Sequence, residues 1–312
     1  MHNRGKVAII GAGHVGSHCA MALAFLGACG EIVLVDKDRQ KAEAQAMDVA
    51  DALSFPPSSV NVRAGIYSDC RDADIVVIAI GEPRQPGQTR LDLLGNSVKM
   101  LHGLIADLKP VGISGIVITI TNPADIVADY VRRGLGFDRK RVFGTGTLLD
   151  TARLIRTLSE KTGLSRASVS AVCMGEHGDS SVIPFSQVRI GGRRFESFEN
   201  LDREEILKRT RAIGMEIICG KNSTEFGIGQ ALSVLCRCIL NDEKQVLPLS
   251  VLLEGEYSQR GVHCGVPCVV GRDGIESILE LPLTEQELSD LAFSCDVIRK
   301  HIDLAQQTAP IG

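Results

Sequence analysis

The sequence predicts an α/β protein, a doubly wound parallel sheet followed by a second α+β unit. Three observations carry this. Up to about residue 144, short apolar runs alternate with amphipathic stretches of helical period, the pattern of strands joined by helical crossovers. One run, Ile75-Val76-Val77-Ile78-Ala79-Ile80, is apolar on both faces, as a strand covered by helices on both sides must be. A glycine-rich turn, Gly11-Ala12-Gly13-His14-Val15-Gly16, follows the first apolar run and opens the first helical stretch.

The elements follow in order. Apolar runs place strands at residues 6–10, 31–35, 60–64, 75–80, 115–119 and 141–143, and helical periodicity fills the gaps at 13–28, 38–54, 89–109 and 125–134. Six strands with helical crossovers suggest the Rossmann-type arrangement. From about Thr145 the pattern changes. A long helix is expected at 148–162, then strands at 171–174, 187–190 and 193–196, and polar helical sequence at 202–220. A helix at 227–241, strands at 246–254 and 264–271, and a closing helix at 284–304 complete the chain, the last with Glu285 and Glu287 where the helix dipole favours acids. The expected division is 1–144 and 145–312, the second unit being the catalytic one.

Composition narrows the function. With 44% hydrophobic and 23% charged residues, the 312-residue chain reads as globular and long enough for two sizeable cores. Its 34 basic against 38 acidic residues leave no electrostatic footprint for nucleic acid or an anionic membrane. The longest apolar runs are far short of a bilayer span, and the N-terminal residues enter a strand without a signal-peptide core, so a cytoplasmic location is expected. The 10 cysteines, among them Cys19, Cys29, Cys70, Cys173, Cys219 and Cys295, are expected as buried thiols in a reducing compartment. His263, Cys264 and Cys268, with Cys236 and Cys238, lack the spacing of a zinc site, so core packing rather than a metal is expected there.

The Gly11-x-Gly13-x-x-Gly16 turn has the form that cradles a dinucleotide. The first glycine permits the tight turn, the second lets backbone reach the pyrophosphate, and the third lets helix and strand pack closely. Asp36, 20 residues beyond Gly16 at the end of the second strand, suits the ribose hydroxyls of NAD and would repel the 2′-phosphate of NADP.

Reduction of a 2-oxo acid leaves an alkoxide that must take up a proton, and a histidine titrating near neutrality is the natural donor. His177, within Gly175-Glu176-His177-Gly178-Asp179, is the candidate, with Asp150 as the carboxylate that would hold its ring. Asp150 and Arg153 are three residues apart and project from one helix face. Arg153 can fork a substrate carboxylate, although the same spacing also describes an ordinary ion pair. Residues 81–90 carry two prolines and two glycines after a strand, so a mobile loop is expected to close there and bring Arg90 onto the reacting carbonyl.

These residues, with Thr121-Asn122-Pro123, Leu149-Asp150-Thr151-Ala152-Arg153 and Leu253-Glu254-Gly255-Glu256-Tyr257, resemble the L-lactate/L-malate dehydrogenase family from about Lys6 to Asp303. The resemblance implies His177 as proton donor and acceptor, Asp150 as its partner, Arg153 on the substrate carboxylate and Arg90 polarising the carbonyl. It further implies Asn122 at substrate and nicotinamide, Thr224 in the substrate pocket, and Gly11, Gly13, Val15, Gly16, Asp36, Tyr67 and Gly81 in the NAD site. A small 2-oxo or 2-hydroxy acid is the implied substrate, and a homo-oligomer, tetramer or dimer, the implied assembly.

The substrate stays open between two readings. Gly175-Glu176-His177, Gly144-Thr145-Gly146-Thr147, Thr224 and the 247–257 segment resemble lactate enzymes, the reading adopted. Arg84 stands at the loop position where malate enzymes carry an arginine for the second carboxylate. Facing it to a methyl group would cost about 3–5 kcal/mol as a buried unpaired charge. A one-residue shift would place Gln85 inside instead. Ile155 and Ser170 occupy positions where fructose-bisphosphate-activated relatives carry cations, which implies no activation by that sugar phosphate. A non-catalytic NAD-binding protein is the rival from another class, and it would be expected to lack at least one of His177, Asp150, Arg153 and Arg90.

Overall fold

The computed structural model describes residues 5–55, 59–81 and 90–311, with residues 90–93 as backbone only. Two βαβ turns open the chain: β1 (Lys6–Ile10), α1 (His14–Leu26), β2 (Glu31–Val35), α2 (Arg39–Ala52) and β3 (Asn61–Ala64). Then come β4 (Ile75–Ile78), α3 (Arg90–Leu108), β5 (Ile116–Thr119), α4 (Ala124–Leu135) and β6 (Val142–Gly144). The five strands β1, β2, β4, β5 and β6 are buried along almost their whole length, which is what helices on both faces demand.

After β6 follow α5 (Leu148–Thr162), β7 (Val169–Ser170), β8 (Arg189–Ile190), β9 (Arg193–Arg194), α6 (Arg203–Lys221) and α7 (Phe226–Leu240). The chain closes with β10 (Gln245–Glu254), β11 (Arg260–Gly271), β12 (Gly274–Ile278) and α8 (Glu285–Thr308). A capping box on Thr284 and Glu287 starts α8, each side chain satisfying the other's backbone N–H.

The main sheet runs β12-β11-β10-β6-β5-β4-β1-β2-β3. It is parallel from β3 to β6 and antiparallel from β6 outward, because β10 joins β6 through Ser250 and Gly144. The strand order reverses between β1 and β4, where chain direction opens a crevice at the carboxyl ends of the strands. A single apolar core spans this sheet, and a second, around Leu154, Leu158, Phe185 and Ile206, lies under the small sheet β7-β8-β9.

Several expected strands are corrected. Residues 171–174 form no strand; β7 ends at Ser170, and Met174 makes only an isolated bridge with Val182. The runs 187–190 and 193–196 shrink to two-residue strands because each tips into a one-turn 3₁₀ helix at Phe185–Gln187 and Phe195–Ser197. The strand expected at 75–80 ends at Ile78. β12 was not expected, although Asp273-Gly274 before an alternating run is a hairpin signal.

Nine cysteines are buried, while Cys219 is exposed on α6, contrary to expectation. Cys264 lies 3.6 Å from Cys295, and His263 bonds Asp129, so the candidate ligands turn to different partners. Among the described residues no helix is long and apolar enough to cross a membrane.

Candidate active site

The dinucleotide turn is built by close backbone approach. A Cβ on Gly11 would stand 2.6 Å from the Ala79 carbonyl oxygen, and one on Gly16 would stand 1.8 Å from that of Gly11. Both positions therefore exclude any side chain, and Gly11 also needs its φ of +107°. Gly13 stands at the N-cap of α1 with no side-chain cap, so the first-turn N–H groups of that helix have no capping side chain. The Asp36 carboxylate accepts from Ala12 N–H at 2.7 Å and from Asp38 N–H at 3.0 Å, which ties the end of β2 to the turn. Tyr67 lies within electrostatic reach of Asp36; burial first, then the carboxylates of Asp107 and Asp36, raise its phenol. Val15 is half-buried on α1, and Gly81 is exposed in open space beyond β4. A glycine cradle with an acid at the end of the second strand fits NAD.

Thr121 pins the crevice wall, its hydroxyl donating to the Ile80 carbonyl at 2.6 Å. Asn122 follows it, exposed, and is joined to Pro123 by a cis peptide bond. Ser97 of α3 donates to the Asn122 carbonyl at 3.4 Å. Thr224 is half-buried in the segment between α6 and α7.

The proton-handling pair is assembled across 27 residues of sequence. Asp150 and Arg153 lie on the first two turns of α5, and Thr151 between them accepts the Cys173 N–H at 2.8 Å. Thr147, just before the helix, donates to the Cys173 carbonyl at 2.6 Å. These two bonds fix the path that leads to residue 175. Asp150 then uses both oxygens: Oδ2 meets His177 Nδ1 at 2.5 Å and Oδ1 accepts from Arg153 Nη1 at 2.9 Å. A carboxylate only accepts, so Nδ1 carries the hydrogen and Nε2 is the atom free to exchange a proton.

The electrostatics follow from this geometry. Burial pushes the Asp150 carboxyl up, but His177 and Arg153 outweigh it and hold it below the ordinary carboxylate range. The Asp150 charge raises His177 above its ordinary value against the opposing effect of burial, with Asp125 adding in the same sense and Arg153 opposing. The ring is therefore easier to protonate than an ordinary histidine.

The loop bearing His177 is held residue by residue. Gly175 exchanges two backbone bonds with Gly265 of β11, each 2.9 Å, and has a φ of +85°. Glu176 N–H donates to Ser294 Oγ of α8 at 2.8 Å, while the Glu176 carboxylate accepts from Ser180 N–H at 3.1 Å and Oγ at 2.6 Å. Arg211 of α6 donates to both the carbonyl and the hydroxyl oxygen of Ser181. His177 N–H donates to Asp125 Oδ2 at 2.9 Å. Sequence reasoning missed Asp125, Glu176, Ser294 and Arg211 as parts of the site. Asp125 carried a signal only as an acid in the first turn of a helix, which the helix dipole explains by itself.

The structure thus brings together His177, Asp150 and Arg153, and separately Gly11, Gly16 and Asp36. Arg84 and Gln85 lie outside the described residues, as does the side chain of Arg90, whose backbone begins α3.

Comparison with known proteins gives concordant findings. Residues 5–144 match the family described as lactate/malate dehydrogenase, NAD binding domain, and residues 147–309 match its alpha/beta C-terminal domain. An L-lactate dehydrogenase of Fusobacterium nucleatum is 41% identical over 96% of this chain and 97% of its own length. An L-lactate dehydrogenase 1 of Bifidobacterium longum is 39% identical over 96% of this chain and 98% of its own. Among solved structures, a lactate dehydrogenase from a Medee basin deep-sea metagenome superposes with a TM-score of 0.93 at 36% identity, covering 98% of this chain and 100% of its own. The ligand-bound minor L-lactate dehydrogenase of Enterococcus mundtii gives 0.92 at 33% identity, covering 96% and 97%.

Proposed function

The chain belongs to the lactate/malate dehydrogenase family, with the NAD-binding domain of that family in its first half, and from that premise we propose that it is an L-lactate dehydrogenase. The reaction is the reversible NADH-dependent reduction of pyruvate to L-lactate. The observation that carries this reading is the His177–Asp150–Arg153 arrangement, in which one buried carboxylate serves a proton donor and a carboxylate-binding cation together. The names of the relatives support the choice of substrate. Arg84 favours malate instead, on sequence grounds only.

NADH, when bound, supplies the hydride. Arg153 holds the substrate carboxylate in a bidentate fork, which fixes the carbonyl relative to the histidine. Arg90, from the start of α3, polarises that carbonyl. As negative charge grows on the carbonyl oxygen, Nε2 of the protonated His177 gives up its proton to it, and Asp150 stabilises the imidazolium beforehand and its orientation throughout. In the reverse direction neutral His177 takes the hydroxyl proton. Asn122 and Thr224 line the substrate, and Gly11, Gly13, Val15, Gly16, Asp36, Tyr67 and Gly81 hold the cofactor. The same reading includes the division into units 1–144 and 145–312, a homo-oligomer, tetramer before dimer, and a cytoplasmic location.

The pH dependence tests it. His177 titrates above its ordinary 6.5, so kcat/KM for pyruvate reduction is expected to be flat on the acid side. It should then fall about tenfold per pH unit once the histidine deprotonates. Lactate oxidation, which needs the neutral ring, should rise through the corresponding transition. Parallel profiles in the two directions would rule out His177 as the shared acid and base.

A further inference from the structure

We propose that Asp125, on the first turn of α4, is a positioning residue for His177, tethering the histidine's main chain while placing a second negative charge beside that of Asp150. This rests on His177 being the proton donor. Three consecutive residues, Gly175, Glu176 and His177, each donate their backbone N–H to a different element. Gly175 donates to the Gly265 carbonyl on β11, Glu176 to the Ser294 hydroxyl on α8, and His177 to the Asp125 carboxylate on α4, at 2.8–2.9 Å. A neutral acceptor serves the first two. The third is charged and only 1% exposed, a costly choice if tethering were its whole purpose.

The cost is visible in the carboxyl itself. Burial pushes Asp125 up to about 6, with Glu176 adding to the rise; the His177 N–H and the His177 charge oppose it. The buried Cys264 thiol of β11 also feels the Asp125 charge. Asp125 is still ionised at neutral pH, where His177 faces two anions, Asp150 and Asp125, against one cation, Arg153. Asp125 thereby keeps the proton donor loaded to a higher pH than Asp150 alone would.

The stability consequence has a definite sign. A carboxyl raised from 3.8 to about 6 in the folded state contributes stability at low pH, and that contribution is lost as pH rises through about 6. Asp125→Asn, which keeps an oxygen acceptor without the charge, is therefore expected to match or exceed the wild-type Tm at pH 8, with the advantage shrinking towards pH 4. A residue retained for folding alone would behave in the opposite way.

The test is the pH profile of kcat/KM for pyruvate reduction by Asp125→Asn beside wild type and His177→Asn. The midpoint of the falling limb is expected to move to lower pH by about half a unit or more, with NADH affinity unchanged. Asp125→Ser, which keeps an oxygen acceptor without the charge in a smaller side chain, should move it the same way, and it serves where Asp125→Asn does not fold. Profiles for the folded variants that superpose on wild type overturn the proposal. The wild-type falling limb and the loss of turnover in His177→Asn are read in the same experiment, so failure of the His177 reading shows there and not in the Asp125 comparison.

Discussion

Replacing His177 with asparagine is expected to lower kcat for pyruvate reduction by about 10²–10⁴-fold, the range for losing a positioned general acid. Asparagine can still meet the Asp150 oxygen, but it has no group that gives up a proton near neutrality. NADH affinity should be little changed, because the glycine turn and Asp36 stand on β1, α1 and β2, away from the α5–β11–α8 frame that holds residue 177. Stopped-flow binding of NADH together with steady-state turnover checks both halves. Turnover within a few-fold of wild type would refute the assignment and revive a non-catalytic reading of the fold. Asp150→Asn should fall in the same direction, because it removes the anion that favours imidazolium and puts in place of an acceptor-only carboxylate an amide that can also donate to Nδ1, so the Nδ1–H tautomer is no longer enforced.

Arg153→Leu is expected to act mainly on substrate binding. Loss of a bidentate, largely buried carboxylate pair removes about 3–5 kcal/mol, or roughly 10²–10⁴ in kcat/KM. Most of it should appear as a raised KM for pyruvate. Lysine should rescue only in part, since a point charge cannot reproduce the two parallel bonds of the guanidinium fork. The variant carries a second signature. Arg153 opposes the protonation of His177, so its removal should move the falling limb of the pH profile to higher pH, opposite to Asp125→Asn. A variant with unchanged KM and lowered kcat would mean that Arg153 acts through Asp150 alone, as its ion pair of 2.9 Å in this structure permits.

What was legible in the sequence was what local chemistry sets. The glycine turn and Asp36 could be found because a dinucleotide cradle is written within one βαβ unit, and Asp150 with Arg153 because three residues on a helix share a face. That the strands up to β6 form a parallel, doubly wound sheet followed from apolar runs separated by helical ones. The second half was harder. Residues 171–181 read as strand and loop, yet their course is set by bonds to Thr147, Thr151, Gly265, Ser294, Asp125 and Arg211, drawn from five other elements and their borders. The Ser294 bond closes over 118 residues of sequence, and no spacing rule reaches that far. β10 joining β6, which turns two expected units into one continuous nine-stranded sheet, is likewise a long-range pairing made through a single residue pair.

The central claim is the substrate, and the direct test is NADH oxidation by the purified protein with pyruvate and with oxaloacetate, compared as kcat/KM. The account predicts that pyruvate is preferred by about tenfold or more, the discrimination expected when a charged distal group meets a site without a partner for it. Preference for oxaloacetate would contradict it, and would assign the choice of substrate to Arg84.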